Sequence, residues 1–155
     1  MNSADLQDFI DTNAIAADIL PMAEHTPTVP DAARALNVHT DQIIKSLVFM
    51  VKKEPILVIN NGEERVDSRK IAEYLGVGRG RIKFASVERA LQITGFVVGS
   101  MPPFGHSTRL RTLVDAAIPS LEEVYGGGGA IDAMMRLTPS ELIRVTSAEV
   151  LPLSE

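Results

Sequence analysis

A loop rich in glycine and proline near residue 100 constrains the fold of this chain more than any other feature. The segment GSMPPFG at 99–105 follows the apolar run Phe96–Val98, which predicts a strand that stops at Gly99. Proline fixes φ and removes a backbone donor, whereas glycine reaches backbone angles closed to other residues. The segment therefore predicts a stiff loop whose remaining N–H groups can point into a cleft and contact a ligand. A rigid β-turn between strands is the alternative.

Hydrophobic periodicity and capping residues predict short helices that alternate irregularly with short strands. An amphipathic pattern predicts an N-terminal helix over residues 3–20, ended by Pro21. Thr28, followed by Pro30 and Asp31, predicts a capped helix that closes near Asn37. Further helices are predicted at 67–75, 86–93 and 140–144, and further strands at 43–51, 55–60, 82–84, 112–118 and 134–137.

This alternation lacks the regular β-α-β spacing of a doubly wound sheet. It predicts an α+β fold in which a curled mixed β-sheet, or partly open barrel, is surrounded by short helices. The length of 155 residues fits one domain over 1–155. The glycine run Gly126–Gly129 is typical of a flexible loop and is too short to separate two domains.

Composition excludes several kinds of protein and site. The chain contains no cysteine, which rules out disulfides, thiol nucleophiles and thiolate metal sites. His25, His39 and His106 have no carboxylate or second histidine one helical turn away, so the sequence predicts neither a metal site nor a cofactor. The N-terminus lacks a basic signal segment, and no apolar run reaches the roughly 20 residues that span a bilayer. A cytoplasmic protein without membrane contact is expected.

Charge is unevenly distributed along the chain. The formal net charge is −5, which disfavours a protein that coats nucleic acid with a uniformly basic surface. Residues 45–111 nevertheless contain 12 Lys/Arg and 6 Asp/Glu, between acidic flanks. A basic centre of this kind indicates a local contact with an anion, with scattered solvated charge as the alternative.

Lys45 stands at the beginning of the apolar run Ser46–Val51. A lysine at the mouth of a buried strand can be partly desolvated, which lowers its pKa and strengthens its attraction for carbonyl or phosphate oxygens. A snorkelling lysine with its ammonium group in water is the alternative interpretation.

A helix-turn-helix is the second interpretation of this region. Residues 32–47 (AARALNVHTDQIIKSL) carry its small residue and apolar spacing, with Thr40–Met50 as the recognition helix. Such a helix would run directly into Val48–Val51 and a second β-rich run, and the chain is acidic overall. A DNA-binding regulator is therefore the second-ranked function.

Eight short motifs follow one another in a characteristic order. They are Thr28-Val29 before an alanine-rich helix, IKSLVF at 44–49, RKIA at 69–72, TGF at 94–96, GSMPPFGH at 99–106, Asp115 in a strand, the glycine run at 126–129, and TPSEL at 138–142. In this order and spacing the chain resembles the YbaK/prolyl-tRNA synthetase-associated editing domain, a family of small deacylases of mischarged tRNA. The resemblance extends from His25 to Leu142.

The resemblance implies a metal-free fold with a mixed sheet in a partly open barrel. It implies a trans-editing enzyme that hydrolyses the ester of mischarged tRNA, of the Cys-tRNA(Pro) or Ala-tRNA(Pro) type, with water, backbone amides and a lysine. The essential lysine of the family falls on Lys45, and its loop glycine, also taken as catalytic, on Gly99. The expected substrate contacts are Thr28, Ser100, Met101, Pro103, Phe104, Gly105, His106, Gly128 and Asp132.

The resemblance also implies partners. They are the acceptor end of mischarged tRNA and prolyl-tRNA synthetase. Related domains place a histidine or aspartate after the later glycine run to select the amino acid, and Asp132 lies in that region. A catalytically silent member of the same fold is a third interpretation of the chain.

Overall fold

The computed structural model describes residues 1–155 as five α-helices, eight β-strands and three short 3₁₀ turns. The helices are α1 (Ser3–Thr12), α2 (Val29–Leu36), α3 (Ser68–Leu75), α4 (Val87–Thr94) and α5 (Pro139–Thr146). The strands are β1 (Ala17–Pro21), β2 (Ile44–Val51), β3 (Glu54–Asn61), β4 (Ile82–Phe84), β5 (Arg111–Asp115), β6 (Val124–Gly127), β7 (Ala133–Leu137) and β8 (Glu149–Leu151). The 3₁₀ turns lie at Thr40–Gln42, Arg79–Arg81 and Ile118–Ser120. None of the helices is long and apolar enough to cross a membrane.

The strands form two sheets. Five of them form a mixed sheet in the order β4-β2-β3-β5-β8, in which β2 is antiparallel to β3 and β4, whereas the β3–β5 and β5–β8 pairs are parallel. The other sheet is antiparallel, with the order β1-β7-β6. An isolated bridge between Ile43 and Tyr125 joins the start of β2 to β6. The predicted α+β fold with a mixed sheet and short helices is confirmed, and the sheets do not close into a barrel.

Helices cover both faces of the larger sheet, so its central strand β3 is buried on each side. Leu57 and Ile59 face the larger core, to which α1, α4 and α5 contribute. Ile56 and Val58 face a smaller core under α3. This alternation follows from the period-two geometry of a strand. The neighbouring strand β2, which carries Lys45, is thereby held by a rigid partner.

Side-chain caps set the ends of the helices where the sequence predicted them. The first turns of α2 to α5 each donate a backbone N–H to a side-chain oxygen of the preceding residue, which is Thr28, Asp67, Ser86 or Thr138. Helices α2 and α3 end at Asn37 and Gly76, both in the left-handed conformation. Each N-cap of this kind stabilises its helix by about 1 kcal/mol.

The predicted helix over residues 3–20 is wrong beyond Thr12. Helix α1 ends there, Ala14 adopts a φ of 51°, and Ala17–Pro21 form β1. Antiparallel pairing with Ala133–Leu137 supplies the backbone partners that a helix would have supplied locally. The helical pattern of this segment contains no information about so distant a strand.

Several strand predictions also need correction. Residues 96–98 form a loop instead of a strand, with Phe96 buried and the two valines half exposed. The strand predicted at 112–118 ends at Asp115, because the Asp115 carboxylate accepts hydrogen bonds from the N–H groups of Ala117 and Leu153. The sequence did not predict β6 or β8, and the first two glycines of the 126–129 run belong to β6.

The helix-turn-helix interpretation is wrong. Its recognition helix would occupy Thr40–Met50, but Thr40–Gln42 form a single 3₁₀ turn and the chain then enters β2. The β-branched and aromatic residues of this run pair along the whole of β3 and are buried between helices. No helix is therefore available there to enter a DNA groove.

Candidate active site

A cleft of about 250 Å³ opens where the start of β2 meets α2 and the loop after α4. Lys45 and Gly99, the two predicted catalytic residues, both line it, together with the predicted substrate contacts Thr28 and Met101. The remaining lining residues are Thr26, Pro27, Val29, Ala32, Ile43, Ile44, Ser46, Leu47, Val98, Gly127 and Met134. The fold thus brings the lysine and the loop to one concave surface although they are far apart in the chain.

Hydrogen bonds to one carbonyl oxygen hold Lys45 in place. Its Nζ donates to the Glu64 carbonyl at 2.7 Å, and the Asn60 Nδ2 donates to the same oxygen at 2.9 Å. Asn60 lies directly opposite Lys45 in the β2–β3 ladder, and its Oδ1 is buried without a partner. Two adjacent strands therefore position the amino group before any substrate arrives.

Burial lowers the pKa of Lys45, and the carboxylates of Glu63 and Glu64 oppose this effect. A partly desolvated ammonium group interacts more strongly with an anion or a carbonyl oxygen than a fully hydrated one does. Lys45 is also the only titratable side chain among the residues that line the cleft. Consequently, no carboxylate or imidazole is placed there to act as a general base.

The loop after α4 contributes unpaired peptide N–H groups. Gly99 has a φ of 98°, and no atom lies within 4 Å of the position that a Cβ would occupy. The next residue, Ser100, is turned inward, where its N–H and Oγ donate to the Val97 carbonyl at 3.0 and 2.9 Å. The N–H groups of Gly99 and Met101 donate to no acceptor within the chain. Unpaired N–H donors on a loop that lines the same cleft as Lys45 suit an oxygen that gains negative charge.

Strand β6 supports this loop at a distance that only glycine permits. A Cβ on Gly127 would lie 2.2 Å from the Met101 carbonyl oxygen and 2.8 Å from the Ser100 carbonyl oxygen. The Gly129 N–H also donates to the Ser100 carbonyl at 2.9 Å. The prediction of a flexible loop at 126–129 is therefore wrong for Gly126 and Gly127, which belong to β6, and Gly127 packs directly against the backbone of the loop after α4.

The second half of the loop lines a different cavity. Pro103, Phe104, Gly105 and His106 enclose about 160 Å³ together with residues of α1 and α5. The His106 Nε2 lies 2.7 Å from the Pro102 carbonyl oxygen, and burial lowers the pKa of His106 against the effect of this hydrogen bond. A neutral imidazole that donates from Nε2 holds the loop in shape. These four predicted substrate contacts are thus outside the first cleft.

Three further predicted contacts also lie outside the cleft. Ser100 is buried beneath the loop, and the Gly128 carbonyl accepts a hydrogen bond from Ser3 Oγ of α1 at 2.7 Å. Asp132 is exposed, and its carbonyl accepts from the Met22 N–H at 2.7 Å. Ser100 and Gly128 thus stabilise the segments around the cleft through their hydrogen bonds. A direct contact between the substrate and any of the three residues stays a prediction.

Sequence reasoning missed part of the lining. Ser46 and Leu47 follow the lysine in the same strand. The prediction that this strand begins at a cleft could have indicated them as lining residues. Val29 and Ala32 share the apolar face of α2, which was a visible helical pattern. Met134 could not be found, because it reaches the cleft only through the packing of the two sheets.

The chemistry available in the cleft follows from this inventory. Its lining residues include one lysine, Gly99 and Met101 with unpaired peptide N–H groups, the hydroxyl-bearing residues Thr26, Thr28 and Ser46, and several apolar residues. No group of three or more histidine, cysteine or carboxylate side chains is placed to hold a metal ion anywhere in the chain. Such a site can bind a carbonyl group and stabilise the oxyanion that forms during acyl transfer.

Comparison with known proteins agrees with this geometry. A family profile described as the aminoacyl-tRNA editing domain matches residues 23–145. The chain belongs to the aminoacyl-tRNA editing domain family. The match confirms the resemblance inferred from the order of the short motifs and includes both β2 and the loop after α4.

Individual relatives of this editing domain include proteins of similar length and part of a proline–tRNA ligase. The uncharacterized protein YwhH of Bacillus subtilis (strain 168) is 25% identical over 134 residues, covering 86% of this chain and 83% of that protein. A proline–tRNA ligase of Streptococcus equi subsp. equi (strain 4047) is 31% identical over 100 residues, covering 64% of this chain but 16% of the ligase. A crystal structure of a candidate trans-editing enzyme for prolyl-tRNA synthetase has a TM-score of 0.92 and 32% identity, covering 99% of this chain and 96% of that one.

Proposed function

We propose that this editing domain is an aminoacyl-tRNA deacylase that acts in trans on mischarged tRNA. The observation that carries the proposal is the shared cleft, which is lined by Lys45 and by Gly99 and Met101, whose peptide N–H groups are unpaired within the chain. Membership of the editing-domain family and the likeness to a candidate trans-editing enzyme support the same activity.

The reaction is hydrolysis of the ester that joins an amino acid to the terminal ribose. Water attacks the carbonyl carbon, the bond from that carbon to the ribose oxygen breaks, and the ribose oxygen leaves with a proton. Negative charge develops on the carbonyl oxygen in the transition state, where the N–H groups of Gly99 and Met101 stabilise it. In other hydrolases the loss of one such donor lowers the rate by about 10²–10³-fold.

Lys45 holds the substrate against these donors. Its amino group binds the ester oxygen or the terminal ribose-phosphate, where partial burial strengthens the attraction. Because no carboxylate or imidazole lines the cleft, the substrate's ribose hydroxyl beside the ester assists the attacking water. An activated ester needs no strong nucleophile from the protein, so positioning supplies most of the rate increase.

The walls of the cleft favour a small amino acid. Val29, Ala32, Ile43, Leu47 and Met134 make them apolar, and about 250 Å³ is shared between the amino acid and the ribose. We therefore propose alanine or cysteine as the amino acid removed, and tRNA(Pro) as its carrier on the basis of the proline–tRNA ligase relatives.

Selection of the amino acid by size alone is weak, so we infer that a macromolecular partner adds to the selectivity. One methylene in an apolar pocket changes the free energy of binding by about 1–3 kcal/mol. Sparing correctly charged tRNA therefore requires further recognition of the tRNA, or delivery by the synthetase. We propose the acceptor end of mischarged tRNA and prolyl-tRNA synthetase as the partners.

Release of free amino acid from a panel of charged tRNAs tests the proposal. The protein should hydrolyse alanyl- or cysteinyl-tRNA(Pro) and spare prolyl-tRNA(Pro). Lys45→Ala should lower the rate at least about 100-fold with little change in Tm. Lys70→Ala is the matched control, because the Lys70 Nζ also donates to a backbone carbonyl, that of Ser154, but does not line the cleft. Its rate should equal that of the wild type.

Two results would contradict the proposal. Full activity in Lys45→Ala would remove the lysine from the mechanism. Absence of hydrolysis by the wild-type protein across a complete set of aminoacyl-tRNAs would make the chain a catalytically silent member of the family.

A further inference from the structure

A second concave surface lies at the far end of β2 from Lys45. It encloses about 400 Å³, and no carboxylate lines it. Its cationic residues are all exposed, and the ion pairs of the protein involve other arginines. We name this surface the cationic bowl, and its cations are Lys52, Lys53, Arg81, Lys83 and Arg89.

Two lysines of the bowl occupy a turn that favours other residues. Lys52 and Lys53 form the two-residue connection between β2 and β3, with φ values of 50° and 71°. Positive φ at both central positions defines a type I′ turn, for which Asn-Gly is the least strained sequence. Side chains with a Cβ adopt this region rarely. An uncharged Asn-Gly sequence would form this turn with less backbone strain. The presence of two lysines instead therefore indicates that their positive charge has a function.

Two elements connect the bowl to the catalytic cleft. Strand β2 carries Lys45 at its start and leads to Lys52 at its end, ~24 Å away at ~3.4 Å per residue. Because side chains alternate along a strand, Ser46 in the cleft and Met50 in the bowl lie on the same face of β2, whereas Lys45 lies on the other face. Helix α4 starts at the bowl, where it contributes Arg89, and leads into the loop that carries Gly99. One extended ligand can therefore contact both surfaces.

We propose that the cationic bowl binds the phosphodiester backbone of the RNA whose 3′ ester occupies the cleft. This inference rests on the proposed function and adds a second contact to it. Phosphates on one strand of a DNA duplex recur roughly every 3.4 Å along the axis, so an RNA with comparable spacing that starts in the cleft and follows β2 has several phosphates near the bowl. Cations without carboxylate partners break no ion pair when they bind those phosphates.

The salt dependence of binding to uncharged tRNA tests the bowl directly. Each phosphate contact contributes about 0.7–0.9 to the negative slope of log K against log salt concentration. Lys83→Gln/Arg89→Gln should therefore reduce the slope by about 1.4–1.8 and weaken binding roughly ten-fold. The matched control Arg69→Gln/Arg144→Gln removes the same charge from exposed arginines elsewhere and should change neither quantity.

A second variant separates the loss of charge from a loss of folding. Lys52→Asn/Lys53→Gly removes both turn lysines and installs the sequence that the type I′ turn favours. The Tm should rise by about 2–4 °C, while the KM for charged tRNA should rise roughly ten-fold. Weaker RNA binding in a more stable protein cannot arise from unfolding.

The outcomes distinguish this inference from the proposed activity. Unchanged tRNA affinity and salt slope in both bowl variants overturn the inference, even where the wild-type protein hydrolyses mischarged tRNA. Bowl-dependent tRNA binding without any hydrolysis supports the inference and refutes the catalytic proposal alone. Bowl-dependent binding to polyglutamate together with absence of tRNA binding shows an acidic protein partner and overturns the inference.

Discussion

A single methyl group on Gly127 tests whether β6 sets the geometry of the loop after α4 that carries Gly99 and Met101. In Gly127→Ala the new Cβ would lie 2.2 Å from the carbonyl oxygen and 2.7 Å from the carbonyl carbon of Met101, and 2.8 Å from the Ser100 carbonyl oxygen. All three are backbone atoms, so no side-chain rotation relieves the overlap. To restore an ordinary contact, the loop has to move away from β6 by about 1.2 Å.

This displacement predicts a large effect on rate and a moderate effect on stability. A misplacement of about 1 Å in groups that position a substrate lowers the rate on the order of 10²-fold. Overpacking costs about 1–3 kcal/mol, and each kcal/mol lowers the Tm of a chain of this size by roughly 2–4 °C. The kcat/KM for mischarged tRNA should therefore fall about 100-fold in a protein that stays folded at 25 °C.

Deacylation kinetics and thermal unfolding of the same preparation provide the measurement. Gly78→Ala is the matched control, because φ of Gly78 is −67° and a Cβ there would meet no atom within 4 Å. This control should keep the rate and Tm of the wild type. A wild-type rate in Gly127→Ala would refute the argument that contact with β6 positions the loop.

Two dependences on pH follow from the charged groups. Because burial lowers the pKa of Lys45 and its ammonium form binds the ester, kcat/KM should fall as the pH rises through that pKa. A pH–rate profile without an alkaline limb would contradict this role. Hydrogen bonds from Arg144 and Arg111 lower the pKa of Glu141 and of Glu149, respectively, to about 2. Their stabilisation is therefore complete above the unfolded pKa of about 4.3 and is lost as the pH falls toward 2. Tm measured over this interval should fall less steeply in Glu141→Gln/Glu149→Gln, and an equal slope would assign acid unfolding to other groups.

Much of the fold could be predicted from short segments because helix ends and buried strands depend on nearby residues. The cap at Thr28 and the left-handed stop at Gly76 each involve hydrogen bonds within one turn of the chain. The continuous apolar run after Lys45 predicted β2, which lies between two strands of a sheet covered on both faces.

Strands β1 and β6 depend on partners that no local pattern reveals. Ala17–Pro21 has a pattern compatible with a helix and becomes a strand only because β7 offers it a free edge. Gly126 and Gly127 lack side chains that favour a strand, yet they pair with β7. Their lack of a Cβ lets Ile44 and the Met101 backbone approach closely.

The same division applies to the candidate site. The sequence by itself determined that Lys45 begins a buried strand and that residues 99–105 form a stiff loop, because both properties depend on neighbouring residues. Only the tertiary structure decided that Gly99 and Met101 line the same cleft as the lysine while His106 lines another cavity. The physical reason is that residues so far apart in the chain become neighbours only when the sheets pack, which brings the loop against the backbone of Gly127.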